Sequence, residues 1–427
     1  MNNKKEISEK QSYIHLGRLA EITMGQSPDS SGYNTNQIGL PFLQGCAEFG
    51  RTSPTAKVHC NPPLRISKPG SILISIRAPV GTQNWGDDSY CIGRGLSAIK
   101  ARQGIADTKF LSYAISHNVD FLHRRSQGST FLAIGANELR TIPIPNYDFN
   151  TQCKISVILQ SVDHAIDKTE ALITKYYKIK TGMMSDFFTR GLTSDGSLRE
   201  DYKSCPDLYQ ETEIGWIPRE WKFMPLSWGL SSSPKNGYSP NEVNEWQGVY
   251  VLGLGCLTKN GFKPIQLKNA PSSCLSSASK LKNGDFLISR ANTPELVGLC
   301  GIYRDVGDVA IYPDLMMKLN LNNNINADFL ERYLLSPLSR LRLSAISVGT
   351  SSSMVKLNST SLKSFKIIYP SIDEQCLIVK KLKPIETQIT LLESELAKLE
   401  RLKSGLMHDL LTGKTLVARK NTEALHV

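Results

Sequence analysis

From Ile378 to Leu410 apolar residues recur at alternating steps of four and three. They are Ile378, Leu382, Ile385, Ile389, Leu392, Leu396, Leu399, Leu406 and Leu410, with Lys403 standing in one seam position. A 3.5-residue repeat keeps one narrow apolar stripe turned toward a partner helix, so it predicts a coiled coil. The same register occurs earlier, at Ile155, Leu159, Val162, Ile166, Thr169, Ile173, Tyr176, Lys180, Met183 and Phe187. Lys180 matches Lys403 there, Gln152-Cys153 matches Gln375-Cys376, Gly182 matches Gly405, and Asp186 matches Asp409. Two runs sharing register, polar exception and glycine imply duplication. The chain therefore reads as two similar halves, each closed by a helix of about 33 residues, about 50 Å long at about 1.5 Å per residue. Halves related by a pseudo-twofold would pair these helices antiparallel, burying both seams within the chain.

The rest of each half is short and punctuated. Leu16 to Met24 reads as a brief helix ended by Gly25 and Pro28. Leu40–Leu43, Ser71–Arg77 and Leu96–Ile99 read as strands, and Lys109–Ser116 as a helix. Thr141–Pro145 reads as an edge strand, because proline cannot donate to a central ladder. Asn150 and Thr151 are candidate caps for the helix that follows. In the second half, Lys282–Arg290 repeats the layout of Lys68–Ile76, and both lead through a proline to a Val-Gly pair. Ala327–Leu334 answers the Lys109 helix, and Phe365–Ile368 answers the exit strand. Pro384 has no counterpart in the first long helix and predicts a kink or a fresh start. Scaffold is kept between the halves while the sequence between its anchors differs, as in a device that reads two different things.

A length of 427 residues allows several domains with sizeable cores. Net charge +11 and a pI near 9.1 favour an anionic partner, with nucleic acid ahead of an acidic protein or a membrane surface. Nine cysteines without a CxxC pair read as reduced cytosolic thiols. No apolar leader and no run of about 18 apolar residues is present, which predicts a cytoplasmic protein without membrane attachment.

Catalytic patterns are missing. The seven histidines form no metal-binding pair, and no GxSxG elbow or P-loop occurs. Asn61-Pro62-Pro63-Leu64 approaches the turn of adenine-N6 methyltransferases, but leucine replaces the aromatic residue that stacks on a flipped base. Pro313-Asp314 lacks the spaced Glu-x-Lys of a nuclease. The suggestive residues are polar ones on loops: Arg77 and Arg290 at the ends of matching strands, Arg94 between Gly93 and Gly95, Arg124, Arg125 and Gln127 before a glycine turn, and Asn292 and Thr293 after Arg290. Arginine reads guanine, and Asn or Gln reads adenine, by bidentate bonds in the major groove. These eight are the candidate DNA-binding residues; Leu159, Ile166, Ile173, Leu382, Ile389 and Leu396 are the candidate coiled-coil seam.

Glu213-Ile214-Gly215-Trp216-Ile217-Pro218-Arg219-Glu220-Trp221 and Leu402–Lys414, with the Asp373-Glu374-Gln375 entry, resemble signatures of the specificity subunits of type I restriction–modification systems. The resemblance covers residues 12 to 415. Its departure is Arg190 where Gly413 stands in the later copy. It implies an α/β (α+β) architecture of two duplicated target-recognition domains, 12–150 and 216–372. These would be separated by antiparallel coiled-coil helices at 151–190 and 373–415, with a connector at 191–215. It further implies a non-catalytic adaptor, not an enzyme. Each recognition domain would read one half of a bipartite, asymmetric site in double-stranded DNA, and the helices would set the gap and dock two methylation subunits. Those subunits would carry S-adenosylmethionine, leaving no cofactor or metal on this chain, and restriction subunits would join the full complex. The alternatives are an autonomous adenine-N6 DNA methyltransferase and a coiled-coil scaffold that binds no DNA.

Overall fold

A computed structural model describes residues 12–125, 133–351 and 354–415. Two helices dominate it, Phe149–Thr189 and Ile372–Leu411, of 41 and 40 residues. Each is about 60 Å long at about 1.5 Å per residue, longer than the heptads alone indicate. The first starts earlier than its sequence caps suggest. Asp148 accepts from the Thr151 N–H at 3.0 Å and its hydroxyl at 2.7 Å, so Asn150 and Thr151 sit inside the first turn. No fresh start occurs at Pro384, which lies inside the continuous second helix. Leu382 and Ile385, buried on either side, supply apolar packing that offsets the one lost backbone bond. Gly191, with φ +70°, ends the first helix, and Gly413, with φ +74°, ends the second. The departure at Arg190 thus moves the stop by one residue.

Contacts divide the chain into two compact units, one from Met1–Glu170 with Ser394–Val427, the other Ala171–Glu393. The boundaries fall inside the long helices, so each unit contains a stretch of both. In the first unit the Asp163 carboxylate meets Lys403 Nζ at 2.6 Å, and in the second Lys180 Nζ meets Glu386 at 3.0 Å. Numbers rise along one helix as they fall along the other, so the pairing is antiparallel in both units. These two lysines are the polar exceptions of the heptads. Each finds an acid across the seam, and each acid holds a second partner from the adjoining domain: the Tyr113 hydroxyl on Asp163, Arg332 on Glu386. Leu159, Leu382 and Ile389 are buried in the seam; Ile166, Ile173 and Leu396 are half-buried. Further along, Tyr177 donates to Glu393 at 2.7 Å. Burial and that carboxylate push its phenol up to about 12, so it remains a donor.

The domains have one topology. In the first unit a four-stranded antiparallel sheet is ordered Ala20–Met24, Leu96–Ala101, Ser71–Ser75, Gln83–Gly86. In the second the order is Lys235–Asn236, Met316–Leu319, Phe286–Ser289, Cys300–Ile302. Leu40–Leu43 runs parallel to Tyr90–Ile92, and Val249–Leu252 parallel to Val309–Ile311. The predicted helix Leu16–Met24 lasts one turn, Leu16–Leu19, because Ala20–Met24 joins the ladder with Leu96–Ala101. Thr141–Pro145 narrows to an edge strand at Pro143–Pro145, paired only with Tyr13–His15. Its counterpart Lys366–Tyr369 pairs with Lys222–Pro225.

Helices Thr108–His117 and Ala327–Leu335 lay their buried faces between sheet and long helices. Phe110, Leu111 and Ala114 meet Ile155, Leu159 and Leu410 in one core. Phe329, Leu330 and Tyr333 meet Phe188, Ile378 and Leu382 in the other. Burying each such large side chain is worth about 1.5–3 kcal/mol. The glutamines that match in sequence also match in place. Gln152 accepts from the Asp107 N–H at 3.0 Å and donates to Tyr147 O at 2.8 Å; Gln375 accepts from the Asn326 N–H at 2.8 Å and donates to Pro370 O at 2.9 Å. Asp107 and Asn326 are the N-caps of the two domain helices, so each glutamine pins a domain helix to a long one.

Candidate nucleic-acid interface

Three loops gather at one end of each antiparallel sheet. In the first unit the strand Ala20–Met24 runs into Gly25-Gln26-Ser27-Pro28. The Gly25 N–H donates to Leu96 O and the Gln26 N–H to Ile92 O, both at 2.9 Å. Those bonds lay the segment across the tight turn Gly93–Leu96, closed by Leu96 N–H to Gly93 O at 3.0 Å. The Ile76 N–H donates to Gly95 O at 3.0 Å, which brings the strand end carrying Arg77 beside that turn. Arg77 then bridges to Ala133. The second unit repeats this bond for bond. The Gly237 N–H donates to Met316 O at 3.3 Å, Tyr238 N–H to Tyr312 O at 3.0 Å, Met316 N–H to Pro313 O at 3.0 Å, and Arg290 N–H to Leu315 O at 2.8 Å. Ala291–Asn292 then pairs with Met354–Lys356.

Close packing makes both glycines necessary. A Cβ on Gly25 would stand 2.1 Å from Gly93 O, and one on Gly237 would stand 2.0 Å from Tyr312 O, both backbone atoms. Gly237→Ala should therefore push its loop off the sheet end at a cost of about 1–3 kcal/mol. A lower melting midpoint of the variant checks this.

Arg77 and Arg94 are exposed and brought together; Arg290, Asn292 and Thr293 are half-buried and brought together in the other unit. Arg290 Nη1 donates to Asp314 O at 3.4 Å, and Asn292 Oδ1 accepts from the Thr293 N–H at 2.9 Å, opening a turn. Arg77 and Arg290 are not structural equivalents. The backbone bonds match Arg290 with Ile76, which leaves Arg77 opposite Ala291. Arg124 and Arg125 end the helix Val119–Arg125, whose His123 ring lies 3.0 Å from Val80 O in the loop after Arg77. Arg125 also bonds the Thr141 hydroxyl at 3.2 Å and covers the Phe121 ring at 4.0 Å. Gln127 lies outside the described residues. The sequence reading did not single out the loop residues Gln26, Ser27, Tyr238 and Ser239, and weighed Asp314 only as part of a nuclease motif. The repeated strings Gly25-Gln26-Ser27-Pro28 and Gly237-Tyr238-Ser239-Pro240 were the available signal. Asn61-Pro62-Pro63-Leu64 is the loop between Val58–Cys60 and Ile66–Ser67. Among the described residues no group of three or more His, Cys, Asp or Glu side chains could hold a metal ion, and no helix is long and apolar enough to cross a membrane. What the loops offer is hydrogen-bond donors and acceptors on a basic chain.

The model of the type I restriction modification DNA specificity domain matches twice, at residues 10–175 and 237–401. The chain belongs to that family. It is 39% identical over 164 residues to a putative type I restriction enzyme MjaX specificity subunit of Methanocaldococcus jannaschii, a match spanning 38% of this chain and 39% of that one. It is 26% identical over 331 residues to the MjaVIII specificity subunit of the same organism, spanning 76% and 74%. The fold is also that of the type I restriction–modification S subunit from M. genitalium, with TM-score 0.59, 15% identity, and 96% and 99% of the two chains covered.

Proposed function

We propose that this chain is the sequence-reading, non-catalytic subunit of a type I restriction–modification complex. Each unit reads one half of a bipartite, asymmetric site in duplex DNA. The antiparallel helices set the gap between half-sites and present their outer faces to two methylation subunits, which bring S-adenosylmethionine; restriction subunits join that core. The observation that carries this reading is the duplicated loop cluster, one backbone frame bearing Gln26, Arg77 and Arg94 in one unit and Tyr238, Arg290 and Asp314 in the other. Base edges are told apart by such side chains, while phosphate contacts only position the protein.

Replacing residues 16–145 with the same region of another specificity subunit tests it. Methylation mapping in cells should show one half-site exchanged for the donor's, with the other half and the gap retained. Both halves changing together, or neither, would remove the reading.

A further inference from the structure

The tight turns Gly93–Leu96 and Pro313–Met316 are equivalent by four backbone bonds, yet their second residues carry opposite charge: Arg94 and Asp314. Each is exposed between neighbours that are buried or half-buried, so each is the residue its turn holds out. The serine of the neighbouring loop sits beside both. The Arg94 N–H points to Ser27 Oγ at 3.5 Å, and the Asp314 N–H donates to Ser239 Oγ at 3.2 Å.

A carboxylate here has a simple competing explanation, since aspartate is common in turns. The other half excludes it as the reason. The same turn, closed by the same bond and flanked by the same serine, forms around arginine, so its geometry does not require an acid. Nor does general attraction to DNA account for Asp314, because a carboxylate held toward a polyanion is repelled. The carboxylate is useful at that place if it accepts a hydrogen bond from a base. In the major groove the donors are the exocyclic amines, cytosine N4 and adenine N6, whereas guanine offers two acceptors suited to a guanidinium. The Ser239 hydroxyl donates to Asp314 Oδ1, which steadies the carboxylate, and Oδ2 is the acceptor that remains.

We propose that residues 94 and 314 are one base-reading position on a duplicated frame, Arg94 selecting guanine in one half-site and Asp314 selecting a base with an exocyclic amine, cytosine or adenine, in the other. This rests on the reading that each unit recognises one half-site.

The test uses the full chain assembled with its methylation subunits, with methyl transfer measured on duplexes randomised in both half-sites. Arg94→Ala should cost the first half-site its guanine preference at one base pair, a loss of about 10–100-fold in discrimination. Asp314→Asn should move the preference at one base pair of the second half-site to adenine where the wild type selects cytosine, and should sharpen it where the wild type already selects adenine, because an amide donates and accepts at once. Ser239→Ala should keep the same preferred base with weaker discrimination. The melting midpoint of each variant is recorded alongside. If Asp314→Asn and Ser239→Ala leave every position of both half-sites unchanged, the proposal is overturned. It is equally overturned if Asp314→Asn lowers transfer evenly at all second-half bases together with a lower melting midpoint, since that describes a turn residue. A wild-type complex that shows no bipartite preference would overturn the half-site reading itself, whatever the variants do.

Discussion

Glu374→Ala should lower the stability of the second unit by about 3–5 kcal/mol, the largest loss expected from any single polar substitution in the chain. Glu374 is buried at the start of the second long helix and four donors converge on it. They are the Leu192 N–H at 2.8 Å, the Trp221 indole N–H at 3.0 Å, and both terminal nitrogens of Arg199. Arg199 is itself only 12% exposed, so truncating the acid leaves a guanidinium largely out of water with only the exposed Glu220, at 3.3 Å, as counter-charge. Breaking such a pair from one side costs more than the pair is worth, because desolvation is already complete. Glu374→Gln keeps the volume and one acceptor and should lose about half as much. In a unit of this size about 1 kcal/mol moves the melting midpoint by about 2–4 °C, so the alanine variant should melt roughly 6–20 °C lower. A shift of less than about 3 °C would show that the cluster is dispensable. The same bonds explain the Glu213–Trp221 string. Glu213 pairs with Arg342 and Lys366, Gly215 turns the hairpin at φ +99°, Ile217 is buried, and Trp221 reaches the acid.

The second large effect contrasts two equivalent acids. Glu386→Ala strands Lys180 and leaves Arg332 with Asp328 alone, at 3.4 Å; their side chains are 16% and 12% exposed, and the change should cost about 2–4 kcal/mol. Asp163→Ala strands Lys403, 34% exposed, and the neutral Tyr113 hydroxyl, and should cost about 1–2 kcal/mol. Lys180→Met should be close to neutral, because Arg332 still satisfies Glu386 and the methionine extends the apolar seam. Melting curves of the three variants check the order. Equal losses at Glu386 and Asp163 would mean that burial does not govern these sites. A large loss for Lys180→Met would mean that the lysine stabilises the seam in its own right.

The heptads could be read because a 3.5-residue repeat is a local property, visible without knowing what lies across the seam. Lys180 and Lys403 were legible as exceptions but their reason was not, since Asp163 and Glu386 lie far away in sequence. Strand existence was legible at Ser71–Ser75 and Phe286–Ser289, where runs of buried residues stand between turn signals. The match of Lys282–Arg290 with Lys68–Ile76 already set Arg290 on Ile76, as the bonds to Leu315 and Gly95 do; pairing Arg290 with Arg77 slips by one residue and changes which side chain reaches the loop end. The short helix at Leu16 was overextended because Ala20–Met24 is equally compatible with a strand until its partner is known. The candidate loop residues were least legible, since exposed loop side chains carry no periodicity. A short string repeated in both halves was the one local mark they left.

Gln152 and Gln375 hold the domains to the long helices entirely through main-chain atoms. Their partners are the N–H groups of Asp107 and Asn326 and the carbonyls of Ile105, Tyr147, Asn324 and Pro370. Main-chain partners are the same whatever side chains a domain carries. These two points of attachment are therefore indifferent to the side chains they grip, unlike the ties of Tyr113 to Asp163 and Arg332 to Glu386, which depend on the domain's own side chains. At these two points the mounting needs nothing of the domain but its peptide backbone.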